Sequence, residues 1–221
     1  MRLIAHHYVT ERGRIPGIST LERTLKLELT PRLYHNLIRP KWITKRYIHD
    51  LLNDHIQFQN RIILDFGCGT GANCCLCDAE HYLGVDPDKH RVEYAKTMYP
   101  EYKFETSDGN IIPAEAGSVD LVLIIAVLHH IPTADIPAFV KEFRRVLKAE
   151  GGQVAVIEPC LFDNTRLSNW FMKKYDKGKY IQGEKSYLDF FQDGGFACKV
   201  IKKYSKCFMY NELFFVASTA D

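Results

Sequence analysis

A chain of 221 residues is long enough to bury one full-sized core, and 46% hydrophobic with 25% charged residues is the composition of a folded globular protein. Its formal net charge of only +2 argues against a polybasic nucleic-acid binder. No apolar run reaches the roughly 18 residues of a membrane-crossing helix, and the N-terminus MRLIAHHYVTERGR lacks a signal-peptide core; a cytoplasmic location and no membrane partner are expected.

The charge is unevenly spread. Residues 1–60 carry ten Lys/Arg against five Asp/Glu, residues 61–160 nine against fifteen, and residues 161–207 ten against five. Two basic flanks around an acidic middle suit one shared entrance for an anionic molecule. Seven cysteines, three of them in Cys74-Cys75-Leu76-Cys77, fit neither a disulfide framework nor a paired zinc-ligand spacing. They are expected to be reduced thiols packed as small hydrophobes, with no metal site.

Residues 1–60 read as a helical N-terminal cap. An amphipathic segment runs from Thr20 to Leu29, and Ile43, Tyr47, Ile48, Leu51 and Leu52 recur at helical spacing within KWITKRYIHDLLND. From Arg61 onward, the apolar runs RIILDF, HYLGV, YKFET, VDLVLII and QVAVIEP alternate with helical patterns. Ile136, Phe139, Val140, Phe143, Val146 and Leu147 form one helical stripe that ends before Gly151-Gly152. The closing run FACKVIKKYSKCFMYNELFFVAS holds two strands with a turn between, which should pair antiparallel. The expected fold is α/β, a mostly parallel sheet with a C-terminal antiparallel hairpin.

Each strand end carries polar groups. ILDFGCGTG sets Asp65 before Gly67, Gly69 and Gly71, where the backbone can turn sharply and approach a ligand without a Cβ in the way. Glycine turns of this kind also serve dinucleotides and plain tight packing. Asp86, closing the second strand in GVDPD, stands where open parallel sheets grip a ribose. Ser107-Asp108-Gly109-Asn110 follows the third strand, and Ala126-Val127-Leu128-His129-His130 the fourth. The acidic surroundings offer no partner for a pyrophosphate, so a cationic cofactor is expected. Asp120, at the start of the fourth strand, reads as structural; Glu158 at the end of the fifth reads either as a site wall or as a solvated strand end.

These motifs, LDFGCGTG, GVDPD, VLHHIP and EFRRVLKAEGG, together resemble the class I S-adenosylmethionine-dependent methyltransferases, in particular their broad small-molecule branch. The resemblance covers about residues 61–160. It implies a Rossmann-like domain over 61–221 with a seven-stranded sheet, helices on both faces and a cap insertion near 161–193. It implies S-adenosylmethionine as cofactor. Asp65 with the backbone of Gly67 and Gly69 in the loop that ends at Gly71 would hold the methionine amine and carboxylate. Asp86 would hold the ribose, Asp108 and Gly109 the adenine, and the Ala126 carbonyl the amine again. Two departures stand out. Only fourteen residues separate Gly71 from Asp86, which predicts a short first helix, and KAEGG replaces the family's Pro-Gly-Gly.

Methyl transfer from a sulfonium needs alignment more than covalent help. Should the acceptor be a hydroxyl or thiol, His130 or His129 is the available base, because imidazole titrates near neutral pH. Adjacent residues cannot share one orientation, which favours a single one, His130. Tyr34, Arg39, Trp42, Lys179 and Tyr180, from the basic aromatic segments, are the candidate acceptor walls. An anionic small molecule is the expected acceptor. An RNA or protein methyltransferase and a non-catalytic S-adenosylmethionine-binding protein are the alternatives; no nucleic-acid partner is expected, since AVLHHIP stands where an Asn/Asp-Pro-Pro-aromatic motif would mark one.

Overall fold

The computed structural model describes residues 44–107, 109, 111–176, 178–207 and 209–219. The amphipathic segment Thr20–Leu29 and most of the expected N-terminal cap lie outside the described residues.

A π-helical turn, Lys45–His49, leads directly into helix α1, Asp50–His55. Then come strand β1 (Ile63–Phe66), β2 (Tyr82–Asp86), helix α2 (Lys89–Met98), β3 (Lys103–Thr106), β4 (Leu121–Ile125), α3 (Ile136–Val146) and β5 (Gln153–Leu161). The chain closes with α4 (Arg166–Tyr175), the two-residue β6 (Gln182–Gly183), α5 (Glu184–Asp193), β7 (Phe196–Lys206) and β8 (Tyr210–Thr219). The strands lie in the order β3-β2-β1-β4-β5-β8-β7. β1 to β5 run parallel, while β8 pairs antiparallel with both β5 and β7. All five apolar runs and the hairpin form strands as the sequence predicts. β6, paired with the end of β5, is an addition to the expected seven.

The central strands are apolar on both sides because both sheet faces are covered. Leu64, Phe66, Val122, Ile124, Val154 and Val156 pack on one face against Val140 and Phe143 of α3 and Phe191 of α5. Ile63, Leu121, Leu123, Ile125, Ala155 and Ile157 face the other way, toward Val92 and Ala95 of α2 and Ile48, Leu51 and Leu52. Ile48, Leu51, Leu52, Ile56 and Phe58, at the end of the expected N-terminal cap, bury their apolar side chains in the same cluster as this sheet face. β7, the edge strand, presents exposed Lys199, Lys202 and Lys203, which discourages pairing with another chain.

The short first helix does not form as an α-helix. Two 3-10 turns, Cys74–Leu76 and Ala79–His81, fill that interval. A few residues hemmed in by a glycine loop and a strand cannot propagate an α-helix against its nucleation cost. All seven cysteines are free thiols. Burial pushes the Cys77 thiol up to about 12, and Cys74 is raised by the same cause. Both stay protonated at neutral pH. No described helix is long and apolar enough to cross a membrane.

Candidate functional site

The parallel strands deliver their C-terminal ends to one edge, where four loops meet. Gly67, Gly69 and Gly71 have φ of 77°, 55° and 80°, all in the left-handed region. The loop is hung on β2: the Gly67 and Cys68 amides donate to the Val85 carbonyl at 2.8 and 3.0 Å, and the Gly69 amide donates to Asp86 Oδ2 at 2.9 Å. A Cβ on Gly67 would lie 2.4 Å from Val127 Cγ2, whereas a Cβ on Gly69 would meet nothing within 4 Å. Gly67 therefore serves packing, and Gly69 leaves open space over the backbone.

Asp86 is 6% exposed and also accepts from the Asp88 amide, through Oδ1 at 2.9 Å. Burial pushes its carboxyl up, opposed by those two backbone donors. Each of its oxygens keeps a second lone pair for a ligand hydroxyl. Asp88 in turn caps α2, accepting from the His90 and Arg91 amides.

Asp65 lies within β1, one residue before its end. Its carboxylate is 1% exposed and lies beneath the loop, with Oδ2 accepting from Tyr82 Oη at 2.7 Å and from Asn73 Nδ2 at 3.4 Å. Asn73 Oδ1 is 3.4 Å from His49 Nε2, so this chain of contacts ties the N-terminal helical segment to the glycine loop. Tyr82 and Asn73 were not legible as site residues, since a strand-start tyrosine and a loop asparagine carry no pattern of their own.

After β4, Ala126 takes φ 56°, an uncommon state for a residue with a Cβ, while its amide donates to the Ile157 carbonyl at 2.8 Å. The 3-10 turn Leu128–His130 follows and separates the two histidines. His129 is 3% exposed, whereas His130 faces solvent. Partial desolvation, then the neighbouring His129, holds the His130 imidazole below its ordinary value, so it is neutral at pH 7.

Glu158 is neither a site wall nor a solvated end. It is 0% exposed and gathers the turn: Oε1 accepts from the Val127 and Leu128 amides at 2.6 and 2.7 Å, and Oε2 lies 2.7 Å from His129 Nδ1. A charged residue within an otherwise apolar strand was the signal for this role, because such a group is buried only with partners. Asp176, missed in the sequence, approaches His129 from the loop after α4. Asp120 is at the opposite edge, where it accepts from the Ile62 amide at 2.9 Å and pairs with Lys148 at 2.7 Å.

Gly109, with φ 86°, is exposed on the loop after β3, whose Ser107 amide donates to the Asp86 carbonyl at 3.2 Å. Lys179 is exposed and Tyr180 half-buried; the Tyr180 amide donates to the His129 carbonyl at 3.0 Å, which brings that loop to the histidine turn. Asp108, Tyr34, Arg39 and Trp42 lie outside the described residues. The edge thus joins a glycine-rich loop with open space over Gly69, a buried carboxylate with spare lone pairs and an exposed neutral imidazole. It can hold a hydroxylated ligand on backbone and accept a proton nearby.

Among known proteins, the family described as a methyltransferase domain matches residues 64–155. A Mycobacterium tuberculosis protein named as a probable S-adenosylmethionine-dependent methyltransferase is 32% identical over 93 residues, 41% of this chain and 33% of that protein. The tRNA (carboxymethyluridine(34)-5-O)-methyltransferase of Mus musculus is 28% identical over 131 residues, 58% of this chain and 19% of that protein. The chain thus spans a third or less of the length of these curated relatives. The solved structure of the YcgJ protein of Bacillus subtilis superposes with a TM-score of 0.65, covering 78% of this chain and 98% of that one; at 14% identity the likeness is one of fold.

Proposed function

We propose that the chain, which a methyltransferase-domain family matches over residues 64–155, is a class I S-adenosylmethionine-dependent methyltransferase and transfers a methyl group from this cofactor to an anionic small-molecule acceptor. The observation that carries the reading is the pairing of Gly69 with Asp86, an open backbone stretch pinned to a buried carboxylate at 2.9 Å. The residues present fit the cofactor. Backbone from Gly67 to Gly71 and the Ala126 carbonyl would hold its amino-acid end, Asp86 its ribose, and the Asp108–Gly109 loop its base. Asp65 works from below, by bracing the loop.

When bound, S-adenosylmethionine supplies an electrophilic sulfonium methyl. The protein's task is to orient the acceptor in line with it and to keep water out. His130, neutral at pH 7, can take the proton of a hydroxyl or thiol acceptor and return it to solvent. Lys179 and Tyr180 supply a cation and an aromatic wall beside it, and Tyr34, Arg39 and Trp42 remain candidates for the same role from the basic N-terminal segment.

A second reading has one observation in its favour. Trp170 and Tyr175 on α4 are 53% and 58% exposed, and Lys174 Nζ lies 4.9 and 5.4 Å from their ring centroids, which offers an unpaired base both a stacking face and a positive charge. The experiment that separates the two incubates the protein with methyl-labelled cofactor and separate metabolite, RNA and protein pools. Label in the small-metabolite pool is expected; label confined to RNA replaces the first reading with the second, and no transfer to any pool removes both.

A further inference from the structure

The His129 imidazole is enclosed by acceptors. Glu158 Oε2 lies 2.7 Å from Nδ1, and Asp176 Oδ1 lies 3.7 Å from Nε2, an ion-pair distance beyond a hydrogen bond. Each carboxylate is itself occupied by donors. Glu158 receives the Val127 and Leu128 amides, and Asp176 receives the Gly178 amide and the Tyr210 hydroxyl. Both carboxylates act as acceptors in these contacts, and a neutral imidazole has a proton for only one of the two. The form that matches both carboxylates is the imidazolium.

The same contacts fasten a loop. The Tyr180 amide donates to the His129 carbonyl, and a Cβ on Gly178 would come within 1.9 Å of His129 Cδ2, so the backbone lies directly on the ring. We infer that His129 is a positioning residue: as an imidazolium between Glu158 and Asp176 it holds Asp176, Gly178 and Tyr180 against the end of β4. The description of that loop as an acceptor wall rests on the function proposed above; the fastening itself does not.

Among the described residues, the ring meets Glu158 from β5, Asp176 with Tyr210 of β8 behind it, and His130 of its own turn, whose ring centroid is 4.0 Å away. A charge on His129 disfavours a second one on His130 and, after burial, helps to hold the His130 imidazole below its ordinary value. The arrangement divides two adjacent histidines into a cation that positions and a neutral imidazole that stays free to accept a proton.

The test uses the full chain and needs no ligand. In a nitrogen-15 histidine spectrum at neutral pH, His129, assigned by loss of its signals in His129→Gln, should show both ring nitrogens protonated, and His130 only one. Asp176→Asn keeps the shape and removes the charge; it should speed hydrogen exchange at the Tyr180 amide by about tenfold or more, and should leave S-adenosylhomocysteine affinity within about twofold, because no candidate cofactor contact is altered. A singly protonated His129 in the wild-type protein, a result independent of any variant's folding, overturns the inference, as does unchanged exchange at Tyr180 in folded Asp176→Asn. If wild-type protein fails to bind S-adenosylhomocysteine while both ligand-free readouts come out as expected, the proposed function falls and the fastening stands.

Discussion

Two neighbouring histidines differ here because a 3-10 turn sends successive side chains about 120° apart, one under the loop after α4 and the other into solvent. Burial therefore decides which can meet an acceptor. The folded value of His130 is below the ordinary 6.5, so the unfolded chain takes up a proton first on acidification. Its neutral form favours folding little above pH 6.5, and stability falls as pH drops through 6.5 toward the folded value. With a hydroxyl or thiol acceptor, the rate should be flat through neutral pH and decline only on the acid side of 6.5. His130→Ala should lower turnover by about 10²-fold and abolish that acid limb while cofactor affinity is kept. A rate–pH profile unchanged in the variant would leave orientation alone as the source of catalysis. Asp86→Ala should weaken S-adenosylhomocysteine binding by about 1.5–3 kcal/mol, roughly ten- to a hundredfold by calorimetry. Equal affinity in a folded variant would move the ribose contact to another residue.

Within the loop after β1, the glycines divide between packing and access, and the difference is measurable. Gly67→Ala sets a Cβ in the left-handed region and 2.4 Å from Val127 Cγ2; strain and overpacking together should lower stability in urea by about 2–4 kcal/mol. Gly69→Ala meets no neighbouring atom, so its cost should stay near the ~1–2 kcal/mol of the backbone state, yet its methyl enters the space proposed for the cofactor. S-adenosylhomocysteine affinity should then fall at least about tenfold. Normal binding by Gly69→Ala would place the ligand elsewhere on the edge.

What was legible in the sequence follows the same division. Strands β1, β4 and β5 declare themselves because residues buried on both sides form unbroken apolar runs such as LVLII, and α3 because its buried Ile136, Val140, Phe143 and Val146 recur at helical spacing. The turn at Gly67 and Gly69 and the strand end at Asp86 were legible because turn and strand-end chemistry is local. The 3-10 turns before β2 were not, since ANCCLCDAEH repeats its apolar residues at neither helical nor strand spacing. Nor was the partnership of Glu158 and Asp176 with His129, which joins β5, β4 and the loop after α4 and exists only once the sheet order has brought them together.

Across the whole molecule, the division of charge suggests where each ligand is handled. Every proposed cofactor contact falls between residues 65 and 126, inside the acidic stretch, while the basic flanks at 1–60 and 161–207 are left for the acceptor. Of the second flank, Lys173 and Lys174 are exposed on α4, and Lys179 is exposed on the loop whose Tyr180 amide donates to the His129 carbonyl. A saturating excess of S-adenosylhomocysteine, about 100 times its Kd, should stabilise the protein by about 2.7 kcal/mol and raise its melting temperature by several degrees, whereas NAD should produce no shift. A chain lacking residues 1–36 should keep that thermal shift, because none of the proposed contacts is removed, and should lose most of its methyl transfer, because Tyr34 and part of the basic flank are gone. Loss of the shift in a folded truncated chain would assign the leading segment to the cofactor. Full transfer by the truncated chain would instead confine the acceptor site to residues after 36, with the positive charge supplied chiefly by the α4 region.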